Sequence, residues 1–278
     1  MTRYAINGIS LNADIQGNGF PLLLLHGFTG SSRTWQPHVS CWNPFFRTIT
    51  VDLIGHGDSD SPHDADRYRM EACVADLLEL MNQLQIDRFG LLGYSMGGRV
   101  ALQLANAAPE RVAALVLESA SPGIADAAER KARIANDNAL ADRIERDGIL
   151  PFIDYWQSIP LFQSQQKLPE DIRKGLREQR LRNSPAGLAN SLRGMGTGMQ
   201  SPLHDRLQEL DMPVLLIAGE WDDKYVSIGH KMNNRLPRSR LEVVPNAGHT
   251  VHLEQPDVFD ELVLEFFQSN IQGKRKGS

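Results

Sequence analysis

Phe89-Gly90-Leu91-Leu92 runs directly into Gly93-Tyr94-Ser95-Met96-Gly97, and Gly98-Arg99-Val100-Ala101-Leu102-Gln103-Leu104-Ala105 follows. The first stretch is short and apolar, as a buried strand is. The last places Val100, Ala101, Leu104 and Ala105 on one helical face. Between them lies G-x-S-x-G, and the strand-turn-helix context is what that motif needs in order to present a nucleophile. The glycines are required because the turn is tight: a Cβ at 93 or 97 would crowd the neighbouring strand or helix. Ser95 is thereby held at a helix N-terminus, where backbone N–H groups and the helix dipole favour developing negative charge.

Outward from this turn, apolar runs alternate with longer amphipathic stretches, the rhythm of parallel βαβ units. Leu22–Leu25, Arg47–Leu53, Phe89–Leu92, Ala114–Glu118, Val214–Ala218 and Leu241–Val244 read as buried strands. Tyr4–Ile6 and Ile9–Ala13 flank Asn7-Gly8, a hairpin signal. Cys73, Val74, Leu77, Leu78, Met81 and Leu84 recur at helical spacing and predict a helix over Met70–Leu84. The expected fold class is therefore α/β, a mostly parallel doubly wound sheet behind an N-terminal hairpin. The rhythm breaks over residues 123–206, which are helical in character and dense in arginine. An all-helical insertion there reads as a lid over the sheet's C-terminal edge, where open α/β sheets bind ligands. The expected division is a core of 1–122 with 207–271, a lid of 123–206, and a frayed polar tail of 272–278.

Composition narrows the function classes. The 278 residues are 41% hydrophobic and 23% charged, enough apolar material for a core without staples. The net charge of −5 argues against a nucleic-acid binder, which usually shows a basic excess. No apolar run reaches the ~20 residues of a membrane span, and the first residues lack a secretory h-region. Cys41 and Cys73 are the only cysteines, which suits a reducing cytoplasm and supplies no thiolate metal cage. No GxGxxG or P-loop appears, so no nucleotide cofactor is implied.

Three further loops carry chemistry. His26-Gly27-Phe28 follows the Leu22–Leu25 run, and there the backbone N–H groups of Phe28 and Met96 would form an oxyanion hole. His26 itself reads as a structural hydrogen-bonding residue. Gly219-Glu220-Trp221-Asp222 follows the Val214–Ala218 strand, placing an acid where it can orient a histidine; Asp222 is favoured over Asp223, which an extended turn would point elsewhere. Asn246-Ala247-Gly248-His249 follows the last strand. His252 and Glu254 read as loop-structuring groups, since no third metal ligand has convincing spacing.

The order Ser95, Asp222, His249 resembles that of the α/β-hydrolase superfamily, and the likeness runs from Met1 to about Phe267. It includes Asp52-Leu53-Ile54-Gly55-His56-Gly57-Asp58-Ser59, with Ile54 where family members commonly carry proline. Within the superfamily the chain resembles the pyruvate-eliminating lyases of menaquinone biosynthesis. The residues that carry this are Gly93 to Arg99, Arg133, Asp154-Tyr155-Trp156-Gln157, Arg180 ahead of Ser184-Pro185-Ala186-Gly187-Leu188-Ala189, and Gly248-His249-Thr250-Val251-His252. Arg182 offers an alternative alignment for Arg180.

The resemblance implies a substrate with several carboxylates: a cyclohexene bearing a succinyl group, a ring carboxylate and an enolpyruvyl ether. It implies Ser95, Asp222 and His249 as catalytic residues and Arg99, Arg133 and Arg180 as carboxylate ligands, with Tyr94 and Trp156 lining the pocket. No metal or organic cofactor is needed, and no nucleic-acid partner or membrane span is implied. Two other readings stay open on sequence: a carboxylesterase or C–C bond hydrolase using the same three residues, and a ligand-binding module without turnover.

Overall fold

The computed structural model describes residues 1–272; of the expected tail 272–278, Gln272 ends the helical turn Gln268–Gln272 and 273–278 lie outside the described residues. Asn7 and Gly8 both take positive φ, 46° and 84°, the pair that a two-residue hairpin turn with native strand twist demands. They join β1 (Thr2–Ile6) to β2 (Ile9–Gln16), pairing Ile6 with Ile9. The remaining strands are β3 (Phe20–Leu25), β4 (Phe46–Val51), β5 (Phe89–Tyr94), β6 (Val112–Glu118), β7 (Val214–Gly219) and β8 (Ser239–Val244). They form one eight-stranded sheet in the order β1-β2-β4-β3-β5-β6-β7-β8. β2 is antiparallel to both neighbours, and every pairing from β4 to β8 is parallel.

Leu22, Leu23, Leu24 and Leu25 are all fully buried, yet they serve two different cores. Successive strand residues point to opposite faces. Leu23 and Leu25 pack with α2 (Met70–Gln83) and α3 (Met96–Ala107), and Leu22 and Leu24 with Trp35 and with Trp42 of α1 (Gln36–Trp42). β4 stops at Val51, two residues short of the expected Leu53. There Asp52 turns its carboxylate inward to accept from Ser32 N (2.6 Å), Asn12 Nδ2 (2.8 Å) and Asp58 N (2.9 Å). These charge-assisted bonds tie β2, the segment after β3 and the turn after β4 to one buried group.

Between β6 and β7 the chain makes α4 (Ala127–Asp147), α5 (Ile149–Trp156), a 3-10 stretch Pro160–Lys167, α6 (Glu170–Leu181) and α7 (Pro185–Met195). Asp126 and Ser184 cap α4 and α7 by accepting from the N–H groups of Glu129 and Gly187. These helices share a separate small core of Ala141, Ile144, Phe152, Ile153, Leu188, Ala189 and Leu192. Phe28, on the loop after β3, packs against both this core and the main one, joining the inserted helices to the sheet's C-terminal edge. The chain closes with α8 (Asp223–Asn233), α9 (Val251–Glu254) and α10 (Pro256–Phe267). Among the described residues no helix is long and apolar enough to cross a membrane.

Candidate active site

Ser95 has φ 50° and ψ −105°, a strained conformation for a residue with a side chain. It persists because its surroundings determine it: Ser95 N donates to Glu118 O of β6 (2.8 Å), and Arg99 N returns to Ser95 O (3.0 Å). The flanking glycines are obligatory. A Cβ on Gly97 would collide with the Leu25 carbonyl, and one on Gly93 with the Gly97 carbonyl.

His249 reaches this serine from the loop after β8. Glu254 shapes that loop by accepting from Gly248 N (2.7 Å), Thr250 N (3.2 Å) and Thr250 Oγ1 (2.6 Å). His249 Nδ1 lies 2.6 Å from Asp222 Oδ2, and its Nε2 lies 3.0 Å from Ser95 Oγ. With Nδ1–H donating to the carboxylate, Nε2 is left unprotonated to accept from the serine hydroxyl. Asp222 is buried at the N-cap of α8 and also accepts from Tyr225 N, whereas Asp223 points to solvent in the first turn. His252, three residues on, instead bonds both oxygens of the buried Glu118 (2.9 and 2.8 Å). The ring of Tyr225 packs against His249 in a tilted contact, 4.7 Å between centres with 56° between the planes.

Beside Ser95 lies a cavity of about 140 Å³. Phe28, Tyr94, Met96, Arg99, Arg133 and Trp156 all line it, so six of the seven residues expected around the serine share its wall. The N–H groups of Phe28 and Met96 have no acceptor among the described residues. Arg99 is 8% exposed and gives Nη1 to Met195 O (2.8 Å) and Gln200 Oε1 (3.2 Å); burial pushes its guanidinium down to about 10. Arg133 is more open and is steadied by Asp137, one helical turn on, which accepts from Nε at 2.8 Å. Burial raises the Asp137 carboxyl above its usual range, against the pull of Arg133. Lys224, Tyr225 and Phe162 complete much of the wall, and no Asp or Glu lines it.

The seventh, Arg180, sits elsewhere. It lines a second cavity of about 220 Å³ with Gln165, Thr250 and His252, sharing only Phe28, Tyr94 and Phe162 with the first. Its Nη2 donates to Gln165 Oε1 (3.2 Å) and its fork lies 5.1 Å from the Phe162 ring centre; burial pushes it down to about 10. Arg182 is exposed and lines neither cavity. His26 has the structural contacts expected of it, accepting from Leu53 N at Nε2 (3.0 Å) and donating from Nδ1 to Gly27 O (2.8 Å).

Sequence reasoning overlooked Phe162, Lys224, Tyr225 and Asp137. Three of these had a local signal: Lys224 and Tyr225 open the helix that Asp222 caps. Asp137 stands at i+4 from Arg133, the spacing of a helical ion pair.

Residues 21–256 match the family model for the α/β hydrolase fold. The chain belongs to that family. Among α/β hydrolases it is 51% identical over 89% of its length, and 90% of the relative, to a Bacillus subtilis (strain 168) protein whose name provisionally makes it a 2-succinyl-6-hydroxy-2,4-cyclohexadiene-1-carboxylate synthase. An Enterobacter sp. (strain 638) protein bearing that synthase name is 35% identical over 91% of this chain and 94% of the relative. Among solved structures, this α/β hydrolase superposes on MenH from S. aureus with a TM-score of 0.89. The match has 37% identity and covers 93% of this chain and 98% of that one.

Proposed function

We propose that this chain is a carbon–oxygen lyase that eliminates pyruvate from 2-succinyl-5-enolpyruvyl-6-hydroxy-3-cyclohexene-1-carboxylate, leaving 2-succinyl-6-hydroxy-2,4-cyclohexadiene-1-carboxylate for menaquinone biosynthesis. The observation that carries this reading is 51% identity, along nearly the whole chain, with a relative named for that reaction. The cavity agrees in charge, since Arg99, Arg133 and Lys224 line it and no carboxylate does.

In the proposed mechanism His249, oriented by Asp222, takes the Ser95 proton, and the Ser95 alkoxide removes the proton α to the succinyl ketone. The electron pair moves onto the ketone oxygen, which accepts from the N–H groups of Phe28 and Met96. As the enolate collapses, its carbonyl re-forms, a C2–C3 double bond forms, the ring double bond shifts from C3–C4 to C4–C5, and the C5–O bond breaks with its pair leaving on the enolpyruvyl oxygen. The proton held by His249 goes to that oxygen, and tautomerisation gives pyruvate. Ser95 ends with the proton it abstracted, which exchange with solvent renews. The arginines grip carboxylates, Tyr94 and Trp156 give the pocket its walls, and the helices of 123–206 act as a lid closing over it. Cys41 and Cys73 are free thiols, which fits a reducing compartment, and the cytoplasm is the proposed location.

The test supplies the enolpyruvyl intermediate and follows pyruvate release and diene absorbance together. Deuterium at the carbon α to the ketone slows turnover where proton removal limits it, and intact-mass analysis finds unmodified Ser95 throughout. A serine ester trapped with this substrate would overturn the mechanism in favour of acyl transfer.

A further inference from the structure

The Ser95 cavity presents three cationic side chains, and only two of them belong to the arginine set read from the sequence. The third, Lys224, stands in the first turn of α8, two residues after Asp222, on the same wall as Tyr225 and Ser95. Its chemical situation differs from that of the other two. Arg133 is already engaged by Asp137, and Arg99 by Met195 O and Gln200 Oε1. Lys224 has no carboxylate or hydrogen-bond partner among the described residues; its one recorded contact is the face of Tyr225, 5.6 Å from Nζ to the ring centre. The nearest acids in sequence do not serve it: Asp222 is committed to His249, and Asp223 does not line the cavity.

We infer that Lys224 is a third cationic substrate contact, holding one carboxylate of the substrate at the mouth of the Ser95 cavity. The inference rests on the proposed lyase reading, whose substrate carries three carboxylates. With Arg180 in the neighbouring cavity beyond Phe162, the wall that Ser95 shares has three cations for them, and of these Lys224 has neither a carboxylate nor a hydrogen-bond partner among the described residues. The residue type suits the place. A lysine ammonium is a compact, strongly hydrated charge on a flexible stem, fit for the exposed rim where Lys224 lies and bidentate grip is not needed. An arginine suits the drier interior, where Arg99 lies.

The experiment compares wild type, Lys224→Gln, Lys224→Arg and the exposed control Lys231→Gln in steady-state turnover of the enolpyruvyl intermediate at low and high salt. A contact at the exposed rim should give Lys224→Gln a KM raised about five- to tenfold, with kcat within about twofold of wild type. Lys224→Arg should recover most of that loss, and Lys231→Gln should match wild type. The salt dependence of kcat/KM should be shallower in Lys224→Gln than in wild type, because one charge fewer is left to screen. Succinate and pyruvate, used as competitive inhibitors, tell which carboxylate is held: weakened inhibition by one of them in Lys224→Gln supports the contact and names its end of the substrate. An unchanged KM, a fall in kcat alone, or failure of Lys224→Arg to recover would each overturn it, whereas a raised KM with inhibition by both probes undiminished supports the contact and assigns it to the ring carboxylate. Should wild type itself release no pyruvate, the lyase reading fails first, which is a different result from an active wild type with an indifferent Lys224.

Discussion

Replacing Arg99 with methionine should separate function from stability more sharply than any other single change. Arg99 is 8% exposed, and burial lowers its guanidinium from its ordinary value to about 10. At 1.36 kcal/mol per unit, the fold disfavours that charge by about 3 kcal/mol. Methionine removes this cost and fills much of the same volume. Against it stands the loss of Nη1 as donor to Met195 O and Gln200 Oε1, worth about 1–3 kcal/mol for each acceptor left buried. The two nearly cancel, so the melting temperature should stay within about 5 °C of wild type. Catalysis should behave otherwise. A charge-assisted bond contributes about 1.5–3 kcal/mol, so losing the grip on a substrate carboxylate lowers kcat/KM roughly 10- to 150-fold. The assay pairs thermal melts with steady-state release of pyruvate. A variant that melts far lower, or one whose kcat/KM is unchanged, would show that Arg99 is a structural residue and refute the reasoning.

In the serine–histidine–aspartate set, Ser95→Ala and His249→Ala should each cost orders of magnitude in kcat and the double variant little more, since the groups act as a unit; Asp222→Asn should follow them while Asp223→Asn stays near wild type in the same assay. Gly97→Ala sets a Cβ against two strand-end carbonyls, of Leu25 and His26, and should destabilise the protein by about 2–4 kcal/mol in urea titration, with an unchanged midpoint counting against the tight-turn argument. Burial holds His56 down at about 3, with Nδ1–H on Ile54 O and Nε2 unpartnered. Between pH 6.5 and about 3 the unfolded chain therefore takes a proton that the folded one refuses, and stability is lost as pH falls through that window, by up to about 1.4 kcal/mol per pH unit. Urea midpoints across this range should fall less steeply in His56→Gln, and parallel slopes would refute it. Arg133→Met and Arg180→Met should raise KM with the enolpyruvyl substrate, and Arg173→Ala should leave it unchanged.

The sequence by itself determined the strands, the tight turn at Ser95 and the chain order of serine, acid and histidine. Each of these is written in local physics. Short continuous apolar runs mark the buried strands, helical spacing marks α2, and glycines at 93 and 97 mark a turn with no room for a Cβ. Asp222 was legible for the same reason, as the acid at a strand's C-terminal end. Only the tertiary structure decided what faces the serine. Ser95 and His249 meet across 154 positions of sequence, and no periodicity carries information over that span. Arg99 and Arg180 are both buried arginines near the same edge of the sheet, yet Phe162 and Tyr94 divide their cavities. That partition is set by how the 3-10 stretch Pro160–Lys167 packs over His249, a matter of side-chain volume between elements distant in the chain. The cavity-facing places of Lys224 and Tyr225 were decided in the same way. Which side of a helix meets a cavity depends on the helix's rotation against the sheet, and that is fixed by the packing of Gly229 and Met232 beneath it rather than by the two residues themselves.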